Sequence, residues 1–454
     1  MIDARYDNLY DSRHYNCLSE RVDPPKGLLS SWKDMIIVFL LLVYSGNPAM
    51  GRVFPIEPQL IGLALFFGGL LVRRAKPLVS KEFGVIAFAF IIIFCIQGIS
   101  FEFWPVVSIA GFAVRFYLGF AMIRLVDDFP RVYVRVMYGL ALTSFVFYFS
   151  YVLLHLVGIN VESYIASLSS VLRMWTLDRR PLLVHTFDGT YSNRNFGMFW
   201  EPGAFQGYLI LSMVFLMVIK NRIEKTQYQR YLGAFCIAIL TTMSTTGYIA
   251  MVLVLLLQYE WYVEDTRTMN NRILLGVFVI LPLVLAGGYI AYSKLPFLGE
   301  KIERQLHFLN RRQGTWHRGR FGSMVFDWEY IQKRPLTGWG LHSRTRYALH
   351  PQMANSEGMG NGFSDFTAKF GLVGISIWLI AVLRSFRRLL VGSHFKVGVI
   401  GVLLLLLLQG ECFLAYPLFL GLAFLADSED AVMEETLDKW PEESGYSITS
   451  SHCW

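Results

Sequence analysis

The chain has 454 residues, of which 54% are hydrophobic and only 17% charged, with a formal net charge of +7. Such a composition excludes an ordinary soluble globular protein, and repeated apolar runs of membrane-crossing length point to an all-α polytopic membrane protein. Cys17, Cys95, Cys236, Cys412 and Cys453 are scattered without a CxxC pair, which suggests neither a zinc site nor a disulfide framework.

Residues 1–34 carry Arg5, Asp7, Asp11, Arg13, Glu20, Arg21 and Asp23 without an apolar core or cleavage site, so they read as a retained cytoplasmic segment. The membrane domain is expected over 35–426, and 427–454 reads as an acidic, Ser-rich cytoplasmic tail. About twelve apolar segments fall within the domain, at roughly 35–49, 56–72, 83–99, 104–124, 132–157, 203–219, 230–243, 245–260, 272–293, 363–383, 395–409 and 411–426. The pair 230–243 and 245–260 reads equally as one kinked helix. So does the last pair, broken only at Gln409-Gly410-Glu411.

Basic residues set the orientation. Arg73, Arg74, Lys76 and Lys81, then Lys220, Arg222, Lys225 and Arg230, then Arg384, Arg387, Arg388 and Lys396 all follow even-numbered spans. The positive-inside rule therefore assigns these connectors and both termini to the cytoplasm. Two long loops, roughly 158–202 and 294–362, are left for the periplasmic face. The second is rich in arginine, and long loops escape the charge rule. A basic cluster beside a membrane suits an anion, and lipid phosphates or diphosphates are the obvious ones, because arginine grips two oxygens at once.

Within that loop Phe321, Met324, Val325, Trp328 and Ile331 recur at helical spacing, which predicts an amphipathic helix ended by Lys333-Arg334-Pro335. It suits the membrane surface or a packed core equally well. Arg115 lies mid-span in the fourth segment, where an unpaired arginine costs roughly 2.5–3.5 kcal/mol, so it should face the bundle interior or water, where it meets an anionic ligand, a buried carboxylate or a purely structural partner. Glu411, between the last two segments, reads as interfacial. The stretch Arg194 to Gln206 places an arginine, Trp200, Glu201 and a Pro-Gly turn at the mouth of the sixth span. Glu201 reads either as a working carboxylate or as a helix-start residue ahead of Pro202.

Four features occur in a distinctive order: Arg194 with Glu201-Pro202-Gly203; Ser244-Thr245-Thr246-Gly247-Tyr248; Arg320 followed by Trp328, Pro335, Leu336, Gly338 and Gly340; and Asn361-Gly362-Phe363 leading into Lys369-Phe370-Gly371-Leu372-Val373-Gly374. Together they resemble the O-antigen polymerase and O-antigen ligase superfamily of membrane glycosyltransferases. The resemblance implies about twelve helices, a GT-C-like architecture and a large periplasmic loop before the tenth. It also implies polymerisation of undecaprenyl-diphosphate-linked repeats at the periplasmic face of the inner membrane. Membrane lipids, a chain-length regulator and a flippase are the further partners implied; no cofactor and no nucleic acid are expected. Ligases resemble one another in a His-Asn pair, and here Gly360 precedes Asn361; an arginine common in ligase-like Ser-x-x-Gly motifs is replaced by Thr245 and Thr246. Both departures favour the polymerase branch. Ligase chemistry onto lipid A core or protein is the alternative, and a transporter or flippase is a third reading.

In that reaction an acceptor hydroxyl attacks the anomeric carbon of a glycan whose leaving group is a polyprenyl diphosphate. Arg320, Arg194, Arg115 and Arg318 are the candidates to stabilise its charge. Glu201 is the candidate base, its carboxyl raised by desolvation beside Trp200, with Asp365 second. Trp200 and Asn361 are candidate glycan contacts. Neither long loop carries a DxD-like pair, so no metal is expected.

Overall fold

The computed structural model describes residues 32–50, 55–159, 179–188, 193–259, 303, 319–355, 360–390 and 393–426. Both terminal segments, the expected ninth span (272–293) and Arg318 lie outside them. The described chain is helical apart from one small hairpin. Helices α1 (Trp32–Tyr44), α2 (Ile56–Arg73), α3 (Lys81–Phe101), α4 (Val106–Leu125) and α5 (Phe129–Leu156) precede the hairpin. Helices α6 (Pro202–Val218), α7 (Lys225–Thr242), α8 (Thr245–Tyr259), α9 (Arg320–Lys333), α10 (Ser343–Arg346), α11 (Gly362–Leu389), α12 (His394–Gly410) and α13 (Pro417–Gly421) follow it. Among the described residues five helices, α2, α3, α4, α5 and α11, are long and apolar enough to cross a membrane. Helices α6, α8 and α12 are apolar but shorter.

Local chemistry sets several helix boundaries. The side chains of Ser80, Asp128 and Asn361 accept the backbone N–H three residues on, at the starts of α3, α5 and α11. Met243, in the left-handed region at φ 49°, separates α7 from α8, so the 230–260 region is two helices. Helix α6 is buried on every side from Pro202 to Met217, and α5, α7, α8 and α12 pack around it. A helix apolar all round belongs at the centre of a bundle.

The segment 411–426 corrects the expectation of a final spanning helix. After Glu411 come a 3-10 turn (Phe413–Ala415), the five-residue α13 from Pro417, and a second 3-10 turn (Leu422–Phe424). Pro417 lacks the N–H that would continue a helix from upstream. The segment nevertheless runs along α11, with Trp378 donating to the Phe419 carbonyl at 3.0 Å and Ser385 to that of Ala423 at 2.8 Å. Its backbone also lies directly on Gly119 of α4. Broken backbone of this kind is tolerated inside a bundle when protein groups satisfy it.

The basic connectors share one end of the bundle. Lys76 and Arg222 pair with the adjacent residues Asp127 and Asp128, at 2.6 and 3.6 Å, and Arg388 reaches Glu82 at 3.4 Å. At the other end α9 packs on α11. The predicted helix is present there, but its buried face is Gly322, Ser323, Phe326, Asp327, Tyr330 and Ile331, while Phe321, Met324 and Trp328 are exposed. Gly371 (φ 72°) breaks α11, and a side chain there would strike the Leu336 carbonyl. The break frees the carbonyls of Ala368 and Lys369 to accept from Trp339 and Gly340, both at 2.9 Å. Leu372 in turn donates to Pro335 at 2.7 Å, so the two glycine-bearing motifs are docked on each other.

The hairpin pairs β1 (Arg179–Pro181) with β2 (Thr186–Asp188), Arg180 opposite Phe187. His185 in its turn is buried, stacked on Phe147 at 5.4 Å, and burial drives its imidazole down to about 3.

Candidate active site

The end of the bundle that carries α9 gathers charges from four distant parts of the chain. Glu201 is the first cap of α6, in extended backbone (φ −148°, ψ 154°), yet its side chain accepts no capping hydrogen bond from the helix. The helix-start reading of its carboxylate therefore gives way. Instead its carboxyl lies within electrostatic reach of Glu411. Glu411 stands just beyond Gly410, the last residue of α12, and is only 7% exposed. One of its oxygens, Oε1, accepts from Arg320 Nη2 at 3.0 Å, and Oε2 accepts from the Trp200 indole at 3.2 Å. Trp200 stacks on Tyr416 with ring centroids 4.7 Å apart, and Tyr416 feels the charges of Glu411, Arg115 and Glu201. Arg115 also donates to the Gly111 carbonyl at 3.1 Å.

Burial, then the neighbouring Glu201 charge, lifts Glu411 to about 8 against the opposing pull of Arg320. Gly203 makes the approach possible, because any side chain there would meet Glu411 Oε1 and Arg320 Nη2.

Glu411 is the residue that sequence reasoning placed wrongly. It is buried and held by Arg320 and Trp200 at the site, and an acidic group at the only break in a leucine-rich run was the available signal.

Arg194 sits apart from these contacts. Its Nε donates to the Thr242 carbonyl at 2.9 Å, at the end of α7, where a cation also complements the helix dipole. Its charge reaches Tyr248 of the Ser-Thr-Thr-Gly-Tyr motif, so the first two motifs meet here. Asn361 is buried and caps α11 through Ser364 N at 3.0 Å; Gly362 beside it lies against the Glu411 and Cys412 backbone.

A second charged group underlies the first. Arg346, 1% exposed, is ion-paired with Asp327 of α9 and lies 3.3 Å from Asp365 of α11, which also holds Lys369 at 2.5 Å. Ser364 donates to Asp327 at 2.6 Å, and burial lifts Asp327 to about 6. Asp365 is therefore committed to two cations. This quartet ties α9, and hence Arg320 at its first turn, to α11.

The sequence model of the O-antigen ligase family matches residues 231–379. Residues 231–379 are therefore similar to the O-antigen ligase family. No curated protein sequence matches the chain. The matched O-antigen ligase segment runs from α7 into α11 and holds Arg320, Asn361 and the buried quartet. Trp200 and Glu201 precede it, Glu411 and Tyr416 follow it, and Arg115 lies far upstream, so the candidate site draws on residues outside the matched segment. Among the described residues no group of three His, Cys, Asp or Glu side chains could hold a metal ion.

Proposed function

We propose that this O-antigen ligase-family chain is a glycan polymerase, which transfers an undecaprenyl-diphosphate-linked oligosaccharide onto a second lipid-linked repeat. The observation that carries the reading is the convergence of Glu201, Glu411, Arg320 and Trp200 at one mouth of an apolar bundle, with Arg115 within electrostatic reach. A carboxyl pair beside arginines supplies both things the reaction needs. Glu201, uncommitted to its helix, receives the acceptor hydroxyl's proton as the glycosidic bond forms. Arg320 and Arg115 neutralise the departing diphosphate, a fixed electrostatic contribution of the kind that dominates many barriers. Arg194 and Arg318 are assigned to the diphosphate path, and Trp200 and Asn361 to the glycan.

The site is assigned to the periplasmic face of the inner membrane, with the basic connectors and both termini in the cytoplasm, as the positive-inside rule favours. A flippase supplies the substrate there, and a chain-length regulator is the expected partner. Arginines take the charge-neutralising role that a metal would otherwise fill, so transfer is expected to survive a chelator. Gly360, in place of the ligase histidine, supports the polymerase branch. The deciding experiment incubates the purified protein with a lipid-diphosphate-linked repeat alone. Ladders together with released polyprenyl diphosphate support polymerisation. Release only when lipid A core is added identifies a ligase, and neither product from a competent repeat refutes both.

A further inference from the structure

The basic end of the bundle carries a cleft that the glycan chemistry does not use. Helices α1 and α2 both pack on α4, and between them lies a cavity of about 430 Å³, a size within the roughly 300–1,000 Å³ of small-molecule sites. Trp32, Ile36 and Leu40 line it from α1 and Phe66 and Leu70 from α2. Steps of four residues stack side chains on one face of a helix, so each helix turns a continuous apolar wall to the cleft. Trp32, Ile36 and Phe66 are exposed, and α2 is long and apolar enough to cross a membrane. The cleft therefore opens towards acyl chains.

One rim of this apolar cleft is cationic. Lys33 from the start of α1 and Arg73 and Arg74 from the end of α2 line that rim, and among the described residues no acid lines any part of the cleft. Asp34, which is buried, lies behind the rim and offsets one of the three, Arg74, at 3.5 Å. Arg74 is anchored further by donating to the Leu125 carbonyl at 2.6 Å. Lys33 and Arg73 are both exposed. The Lys33 ammonium lies 5.8 Å from the centre of the Trp32 ring, and tryptophan settles by preference at the membrane–water interface. Apolar walls at acyl depth and an excess of positive charge at headgroup depth together describe a lipid site.

We propose that the cleft between α1 and α2 binds an anionic phospholipid from the leaflet on the side of the basic connectors, with an acyl chain along the apolar walls and the headgroup phosphate on Lys33 and Arg73. Net charge on the lipid is what the rim selects, because a zwitterionic headgroup brings its own ammonium against the same cations. Each cation at a membrane surface adds roughly fivefold to the affinity for anionic lipid. The occupant also bears on the far end of α1. Just beyond Tyr44 the Ser45 carbonyl accepts from Tyr208, and Asn47 donates to the carbonyls of Leu183 at 2.8 Å and Met198 at 3.1 Å. Gly46 between them lies against Phe199 and Trp200. A lipid seated between α1 and α2 thus steadies the helix that backs Trp200.

The test uses the full chain in vesicles that mix phosphatidylglycerol with phosphatidylcholine, one or the other brominated on its acyl chains, so that bromine quenches tryptophan on contact. The Trp32 signal is the difference between wild type and Trp32→Phe. At Trp32 phosphatidylglycerol should be preferred by roughly tenfold or more, while the remaining tryptophans, which meet ordinary boundary lipid, should show a ratio near one. Lys33→Gln combined with Arg73→Gln should bring the Trp32 ratio below about threefold. Arg74 is left in place there, because it holds Asp34 and the Leu125 carbonyl. Equal affinity of the two lipids at Trp32 in the wild type overturns the proposal, and so does a preference that survives the double substitution. Trp32 emission that neither brominated lipid quenches also overturns it, since that is the result of a cleft filled by protein.

Discussion

Asp327→Asn should be among the most damaging single changes outside the reacting groups. Asp327, Asp365, Arg346 and Lys369 form a balanced set of two anions and two cations. Removing one anion leaves Arg346, 1% exposed, with only Asp365 at 3.3 Å, an aspartate already shared with Lys369. Two nitrogens of that guanidinium, Nε and Nη1, have no hydrogen-bond partner among the described residues. The cost should therefore resemble that of stripping a buried ion pair of one member, roughly 3–5 kcal/mol. A double variant, Asp327→Leu with Arg346→Met, should cost less than the single one, because no uncompensated charge remains. Cys412, partly buried next to the quartet, supplies the assay. With Cys17, Cys95, Cys236 and Cys453 changed to serine, its labelling by a thiol dye during thermal or denaturant unfolding in detergent reports opening of this end. A loss below about 1 kcal/mol for Asp327→Asn, or a double variant worse than the single, would refute the reasoning.

Other outcomes follow from the site and the hairpin. Arg320→Lys, which keeps the charge but loses the paired grip on phosphate, should lower the transfer rate by roughly a hundredfold with little change in stability; rates within threefold of wild type, measured by product ladders, would remove Arg320 from the site. Glu201→Gln should fold normally, since the side chain makes no helix cap, yet lose transfer by roughly a hundredfold or more. Gly203→Ala should push apart Glu411 and Arg320 and reduce transfer at least tenfold, and a fully active variant would show that their contact is dispensable. His185, held neutral at about 3 against an ordinary 6.5, stabilises the fold fully above pH 6.5 and progressively less as pH falls below it. At pH 5 the loss should be about 2 kcal/mol, seen as faster hydrogen exchange at residues 179–188 and abolished in His185→Phe.

Among the described residues, several helices were legible as long apolar runs between charged connectors. Segment 56–72 appears as Ile56–Arg73 and 132–157 as Phe129–Leu156, because length and hydropathy are local properties. The loop helix was legible from its spacing, but its inward face was not. Phe321, Met324 and Trp328 point outward because the inward face carries Asp327, whose cation is Arg346, beyond the helix. Periodicity does not register an ion pair closed by tertiary structure. Arg320, Trp200 and Glu201 were legible as residues in ordered motifs, and the structure brings them together. Glu411 was not, since its partners lie 91 and 211 positions away in sequence. The last segment misled for a related reason: its composition suits a spanning helix, whereas Pro417 and the close approach to Gly119 impose a broken path.

That broken last segment has a consequence for how the protein comes to life at the ribosome. Arg115, Glu201 and Arg320 are all made well before Glu411 and Tyr416, and they are spread over more than two hundred residues of chain. Until the final stretch threads between α4 and α11, the site lacks its acid and the face on which Trp200 rests. The nascent chain passes through insertion with its reactive end unassembled, and the residues that complete the site are the ones that seal the bundle.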